Sequence, residues 1–230
     1  MLFCLQYCKG EEVRFLGHLD LMRSFERAFR RAHLPLAFSE GFNPHPRVAY
    51  ASALALGVTG AAEYLDLELT REISPAELSA SLNRVLPSGL KILAAQAIAP
   101  RQRSLTALLN LAHYVVTISP FAAISAEKVS AMITQVLARP SYFVSRQGKK
   151  GIRQIDLRPG LLHLNGHLAA GKLILQMDLR LGNGGNVRPE EVVQMMGEEI
   201  LGGEKTIVRV HRLGLYIEED GQVFSPWERT

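Results

Sequence analysis

The sequence predicts an α+β chain made of two tandem ferredoxin-like domains, βαββαβ in each, with the second less regular. Two observations carry this expectation. Over the first hundred residues the side-chain periodicity follows the order strand, helix, strand, strand, helix, strand. A similar order recurs beyond residue 110, after a junction at Pro100-Arg101-Gln102-Arg103. Domains are accordingly expected at 1–100 and 110–217, followed by a tail at 218–230.

The opening Phe3-Cys4-Leu5-Gln6-Tyr7 reads as a strand, with Glu12-Val13-Arg14-Phe15 continuing it after a turn at Lys9-Gly10. From 18 to 33 the apolar side chains Leu21, Phe25, Ala28, Phe29 and Ala32 recur at helical spacing, and Pro35 ends the pattern. After a loop through Asn43-Pro44-His45-Pro46, residues 47–54 and 64–69 read as a hairpin joined through Gly57 and Gly60. Ser74-Pro75-Ala76-Glu77 combines a cap, a proline at the first helical position and a glutamate three residues after the serine. That helix is expected to end near Pro87-Ser88-Gly89, before a strand at 90–98.

In the second half, strands are expected at 113–118, 142–146, 152–157, 172–181 and 206–217, with helices at 125–137 and 189–200. Residues 158–171 require an additional hairpin or loop. The tail is polar apart from Val223, Phe224 and Trp227, and reads as a free or packed arm.

Hydrophobic residues make up 47% of the 230 and charged residues 21%, which excludes disordered and fibrous classes. No stretch reaches eighteen uninterrupted apolar residues, and the opening lacks a secretory signal pattern, so a cytoplasmic chain without membrane contact is expected. Cys4 and Cys8 would lie roughly 13 Å apart along a strand, too far for a disulfide. A CxxxC pair also lacks the third cysteine of a radical-type cluster loop. The net charge is +4, and the excess is confined to residues 101–230, because the first hundred residues hold ten cations and ten anions.

Three constellations stand out. On a helical wheel Arg23, Arg27 and Arg30 share the face opposite the apolar stripe, flanked by Arg31. Guanidinium groups bind phosphate in a bidentate manner, so this ridge is a candidate phosphate contact, while Asp20 and Glu26 would neutralise it if it were only a solvated face. The loop Asn43-Pro44-His45-Pro46-Arg47 is stiffened by two prolines and suits binding by Asn43, His45 and Arg47. A basic hairpin tip is expected from Arg146, Lys149, Lys150, Arg153 and Arg158. His18, in the first helical turn, is expected to point inward or toward the loop. The run Gly182-Asn183-Gly184-Gly185-Asn186 lacks both phosphate-loop fingerprints, and no GxSxG, HExxH or zinc-knuckle pattern occurs. No catalytic residue, metal ligand or cofactor is therefore assigned.

The block Phe15-Leu16-Gly17-His18-Leu19-Asp20-Leu21-Met22-Arg23, continuing through Arg27-Ala28-Phe29-Arg30-Arg31-Ala32 to Gly41-Phe42-Asn43-Pro44-His45-Pro46-Arg47, resembles the bacterial radical SAM-linked protein family. Ala62-Glu63-Tyr64-Leu65-Asp66-Leu67-Glu68-Leu69 and Ile155-Asp156-Leu157-Arg158-Pro159 extend the resemblance, which is strongest over 13–70. Gly17 stands where the family pattern has Ser, which implies a weaker hydrogen bond at the helix start. The resemblance implies a partner, a radical S-adenosylmethionine enzyme. Together with the arginine ridge it leads to the expectation of a non-catalytic accessory module that presents RNA or a ribonucleoprotein. The alternatives are a protein scaffold without nucleic-acid affinity, and a metal-free endoribonuclease using His18 or His45, similar in fold to the RAMP endoribonucleases of CRISPR systems.

Overall fold

Phe3, Leu5 and Tyr7 alternate along the first strand, and this side of the sheet meets the apolar stripe of the first helix. The computed structural model describes residues 1–100, 103–119, 124–148, 151–182, 185–197, 200 and 206–229. Its elements begin β1 (Leu2–Lys9), α1 (His18–Arg31), β2 (Val48–Tyr50), β3 (Thr59–Glu68), α2 (Pro75–Asn83), β4 (Leu90–Ile98) and the single turn α3 (Leu105–Leu108). They continue β5 (Leu111–Ser119), α4 (Ala126–Ala138), β6 (Phe143–Gly148), β7 (Gly151–Asp156), β8 (Leu161–Ala169), β9 (Lys172–Arg180), α5 (Pro189–Met196), β10 (Ile207–Glu219) and β11 (Gln222–Phe224). The architecture is α+β, with extensive sheet and few helices.

The chain forms two compact units, 1–109 with 212–230, and 110–211. Residues from Arg212 onward, tail included, belong to the first unit. The tail packs rather than hanging free. Val223 and Phe224 pair with β10, and Trp227 meets Tyr64 edge-on at 5.6 Å between ring centroids.

In the first unit the strand order is β4-β1-β3-β10, and β2 pairs with Leu65–Leu67 of β3. Leu21, Phe25, Ala28 and Phe29 of α1 and Leu78 and Leu82 of α2 join Phe3, Leu5, Tyr7, Leu65, Leu67 and Ile92 in one core. Full burial of a ring such as Phe25 contributes about 1.5–3 kcal/mol. Ser74 caps α2 as expected, accepting from the Glu77 N–H at 3.2 Å. Gly17 caps α1 and has no side chain to accept a hydrogen bond from the first turn. The helix stops without a glycine because His33 takes the left-handed conformation (φ 51°), and its N–H reaches the Arg30 carbonyl. Residues 12–15 do not extend the first strand. Glu11–Val13 form a 3-10 turn instead, in which the Val13 N–H donates to the Gly10 carbonyl and the Arg14 N–H to the Glu11 carbonyl.

The second unit is built on the order β5-β9-β8, with Val116, Ile118, Leu173, Leu175 and Met177 buried. A Cβ on Gly166 would meet Leu175 Cδ2 at 2.7 Å and Ile133 Cδ1 at 3.1 Å, so a larger residue here would have to displace these side-chain ends between α4 and β8. The segment needing an extra element is β8, which pairs with β9. β6 and β7 form a separate two-stranded ribbon, so this unit departs from a plain βαββαβ order.

Candidate functional site

The amphipathic pattern that buries Leu21, Phe25 and Phe29 obliges Arg23, Arg27, Arg30 and Arg31 to face outward. Arg27, Arg30 and Arg31, with Ser24 and Pro87, line an open groove of about 410 Å³. Pro87 comes from the turn after α2, so the groove runs between this turn and the outer face of α1. Arg31 donates to the Val85 carbonyl, which anchors it across the groove. Arg23 pairs with Asp20 at 3.3 Å, both side chains being well exposed. Arg27 and Arg30 make no hydrogen bond or ion pair among the described residues. Glu26 makes no ion pair with either among the described residues. Its charge acts on Tyr50, whose phenol is held above its ordinary pKa by burial first and by Glu26 second. Two adjacent guanidiniums thus have no ion-pair partner among the described residues. Like charges one helical turn apart cost about 0.2–0.5 kcal/mol, partly offset for Arg30 by the negative helix end.

The proline-stiffened loop is closed at its neck. Ser39 N–H donates to the His45 carbonyl at 2.8 Å, His45 N–H to Ser39 Oγ at 3.0 Å, and Arg47 N–H to the Ala37 carbonyl at 2.8 Å. Asn43 and His45 are exposed. Arg47 instead turns to Glu68, 3.2 Å away, on the rim of a second groove of about 390 Å³ whose lining includes Asp66, Arg103 and Ser104. The structure therefore gathers the helix arginines but places Arg47 on a different groove.

The arginines of the second unit are largely occupied. Arg146 bonds both Glu191 oxygens, with Nε 2.8 Å from Oε1. Arg158 bonds the Leu137 carbonyl through Nε and Nη2, and the Leu161 carbonyl at 2.8 Å, which ties down the end of α4. Arg153 faces solvent opposite Arg146 in the ribbon. Lys149 and Lys150 lie outside the described residues.

His18 is half-buried, its ring edge-on to Tyr50 at 5.7 Å, so the inward expectation agrees with its position. His18 Nδ1 and Tyr50 Oη are both buried without a hydrogen-bond partner. His45 sits apart on the exposed loop, and no contact joins the two histidines among the described residues.

Two arrangements escape sequence pattern. Glu63 and Arg212 form a buried pair in the first unit, Arg212 Nε lying 2.8 Å from Glu63 Oε1, with Ser52 accepting at 3.3 Å. Lys9 is buried nearby, with Nζ on the Arg14 and Leu16 carbonyls. Burial pushes its ammonium pKa down, opposed by Glu63 and reinforced by Arg212. Burial likewise raises the Tyr7 phenol, and the Tyr64 phenol is pushed up to about 12. In the second unit, His113 and His163 both stand opposite Asp178 on neighbouring strands, with His113 Nε2 3.8 Å from Asp178 Oδ1. No group of three or more His, Cys, Asp or Glu among the described residues is arranged to hold a metal ion. Cys4 and Cys8 form no disulfide among the described residues. No helix among the described residues is long and apolar enough to cross a membrane.

Fold and site together define an α+β protein with a basic groove on the outer face of its first helix. The chain belongs to the family DUF2344, described as an uncharacterized protein conserved in bacteria, whose model matches residues 3–189. No curated protein matches it in sequence. Among solved structures, a chain of a Cbf5-Nop10-Gar1 complex is similar over 91% of this chain and 47% of that one, at 10% identity and a TM-score of 0.50. An archaeal box H/ACA sRNP Nop10-Cbf5 complex follows, at 10% identity and a TM-score of 0.48, covering 91% and 46%. An unknown protein from Galdieria sulphuraria matches at 14% identity and a TM-score of 0.26, covering 92% and 98%. The chain spans about half the length of the first two, and at 10% identity the likeness to the Cbf5-Nop10-Gar1 chain is one of fold alone.

Proposed function

We propose that this protein is a non-catalytic accessory module that binds RNA phosphates along α1 and presents the RNA, or a ribonucleoprotein, to a separate radical S-adenosylmethionine enzyme. The observation that carries the RNA reading is the pair Arg27 and Arg30, left without counter-charges on one groove with Arg31. An isolated guanidinium is well hydrated. Two side by side are repulsive, and a polyanion removes that repulsion while releasing its own condensed counterions. The partner enzyme rests on the sequence resemblance over 13–70. In the first unit, the order β4-β1-β3-β2 and the sequence βαββαβ favour a ferredoxin-like reading, and the second unit is then the same plan with an added hairpin.

The test is a fluorescence-anisotropy titration of the purified chain with a labelled single-stranded RNA across a range of KCl concentrations. Wild type should show a negative slope of log K against log salt. Arg27→Gln with Arg30→Gln should flatten that slope by about 0.7 for each phosphate that the variant no longer neutralises. Absence of binding by wild type, or an unchanged slope in the double variant, defeats the RNA reading. Mass spectrometry of polypeptides retained by the tagged chain tests the partner, and failure to retain a radical S-adenosylmethionine enzyme defeats that part.

A further inference from the structure

We infer that Phe42, at the tip of the proline-stiffened loop, is a stacking platform for an unpaired base, so the RNA taken by this protein is single-stranded where it crosses the loop. The inference rests on reading the α1 groove as a phosphate site, and narrows the ligand to strands with accessible bases.

Phe42 is 106% exposed, the most exposed large apolar side chain among the described residues, so its ring touches nothing in its own chain. A phenyl ring buried elsewhere in the protein gains free energy by leaving water, and here that gain is unrealised. The position is held rather than frayed. The neck is closed by the Ser39–His45 and Ala37–Arg47 hydrogen bonds and by a bridge between Phe38 and Pro46. Gly41, with φ +116°, permits a bend that side-chain-bearing residues rarely adopt, and Pro44 and Pro46 remove further freedom. A stiff loop loses little entropy when it captures a ligand.

The neighbours of the ring decide between a base and an apolar protein pocket. Phe38 of the same loop is also partly exposed, but the groups next to the ring are polar: Phe42 is followed by Asn43, whose exposed amide offers both donor and acceptor, and beyond Pro44 by His45, whose exposed ring is able to stack as well. Asn43 makes no hydrogen bond among the described residues. A π-face beside an unpaired amide matches a nucleobase, which presents a π-face and a hydrogen-bonding edge together. The same unit supplies the cationic groove on α1, the second component of single-strand binding surfaces.

The experiment compares wild type, Phe42→Ala and Phe42→Trp against labelled 12-nucleotide oligo(rA) and a blunt 12-base-pair RNA duplex, by anisotropy at several KCl concentrations. Because Phe42 touches nothing, Phe42→Ala should keep the wild-type thermal midpoint. It should weaken oligo(rA) binding by about 5- to 150-fold, the range for loss of one base–aromatic stack. The salt slope should stay unchanged, duplex binding should be unaffected, and Phe42→Trp should restore affinity. If wild type binds oligo(rA) with an Arg27- and Arg30-dependent slope while Phe42→Ala binds equally well, the stacking role is overturned and the groove stands. If wild type binds no RNA, the groove reading fails and takes this inference with it. Loss of a polypeptide partner by Phe42→Ala with oligo(rA) binding intact assigns the tip to protein docking and overturns the inference.

Discussion

The outer face of α1 and the second unit's ribbon beside α5 are both rich in arginine, yet the fold uses them in opposite ways. On α1, Arg27 and Arg30 face a groove without counter-charges. In the second unit, Arg146 is spent on Glu191 and Arg158 on the carbonyls of Leu137 and Leu161. Arg212 marks the far extreme, sealed against Glu63 in the first unit. Counting cations by sequence segment ranks these regions wrongly, since the formal excess lies entirely beyond residue 100. What separates a docking surface from a structural cation is whether a carboxylate or carbonyl reaches it, and that is decided by neighbours distant in the chain.

The comparison breaks first at Arg212. Arg212→Leu leaves Glu63 buried without its partner, and should cost about 3–5 kcal/mol of unfolding free energy in urea titration. Replacing both, Glu63→Met with Arg212→Met, should recover much of that loss. A cost below about 1 kcal/mol for the single change would show that the pair is solvated in solution.

Arg146→Ala should cost about 1–3 kcal/mol, because Glu191 loses two charge-assisted hydrogen bonds while remaining largely buried. Arg27→Gln with Arg30→Gln should stay within about 0.5 kcal/mol of wild type in the same urea titration, whatever it does to RNA binding. Equal costs for the two variants would erase the distinction between occupied and available arginines.

The smallest effect sharpens the α1 side. Gly17 starts this helix without a side-chain cap, and a Cβ there would meet nothing closer than Asp20 Oδ2 at 3.9 Å. Gly17→Ser should therefore add a few tenths of a kcal/mol, read as a rise of about 1 °C in thermal midpoint, with RNA affinity unchanged.

Much of the local structure was legible from residue order. The stripe Leu21-Phe25-Ala28-Phe29, the Ser74-Pro75 start and the strand at 90–98 all lie where the periodicity placed them, because such signals act over a single turn or pleat. The outward set Arg23, Arg27, Arg30 and Arg31 was legible for the same reason. For β8 the sequence showed only that 158–171 needs an added hairpin or loop, since its strand form depends on pairing with β9, and the single turns at 105–108 and 11–13 are too short to leave a periodic signal.

By itself, then, the sequence determined which side chains must leave water and which must stay in it, a matter of spacing along one element. Only the tertiary structure decided which cations are consumed. It set Arg47 against Glu68, closed Arg158 over the end of α4, carried Arg212 back to Glu63 across 149 residues of chain, and formed no ion pair with Arg27 or Arg30 among the described residues. The physical reason is range. Hydrophobic periodicity is read residue to residue, whereas a charge is neutralised by whatever lies within about 4 Å of it in space, and chain order does not say what that will be.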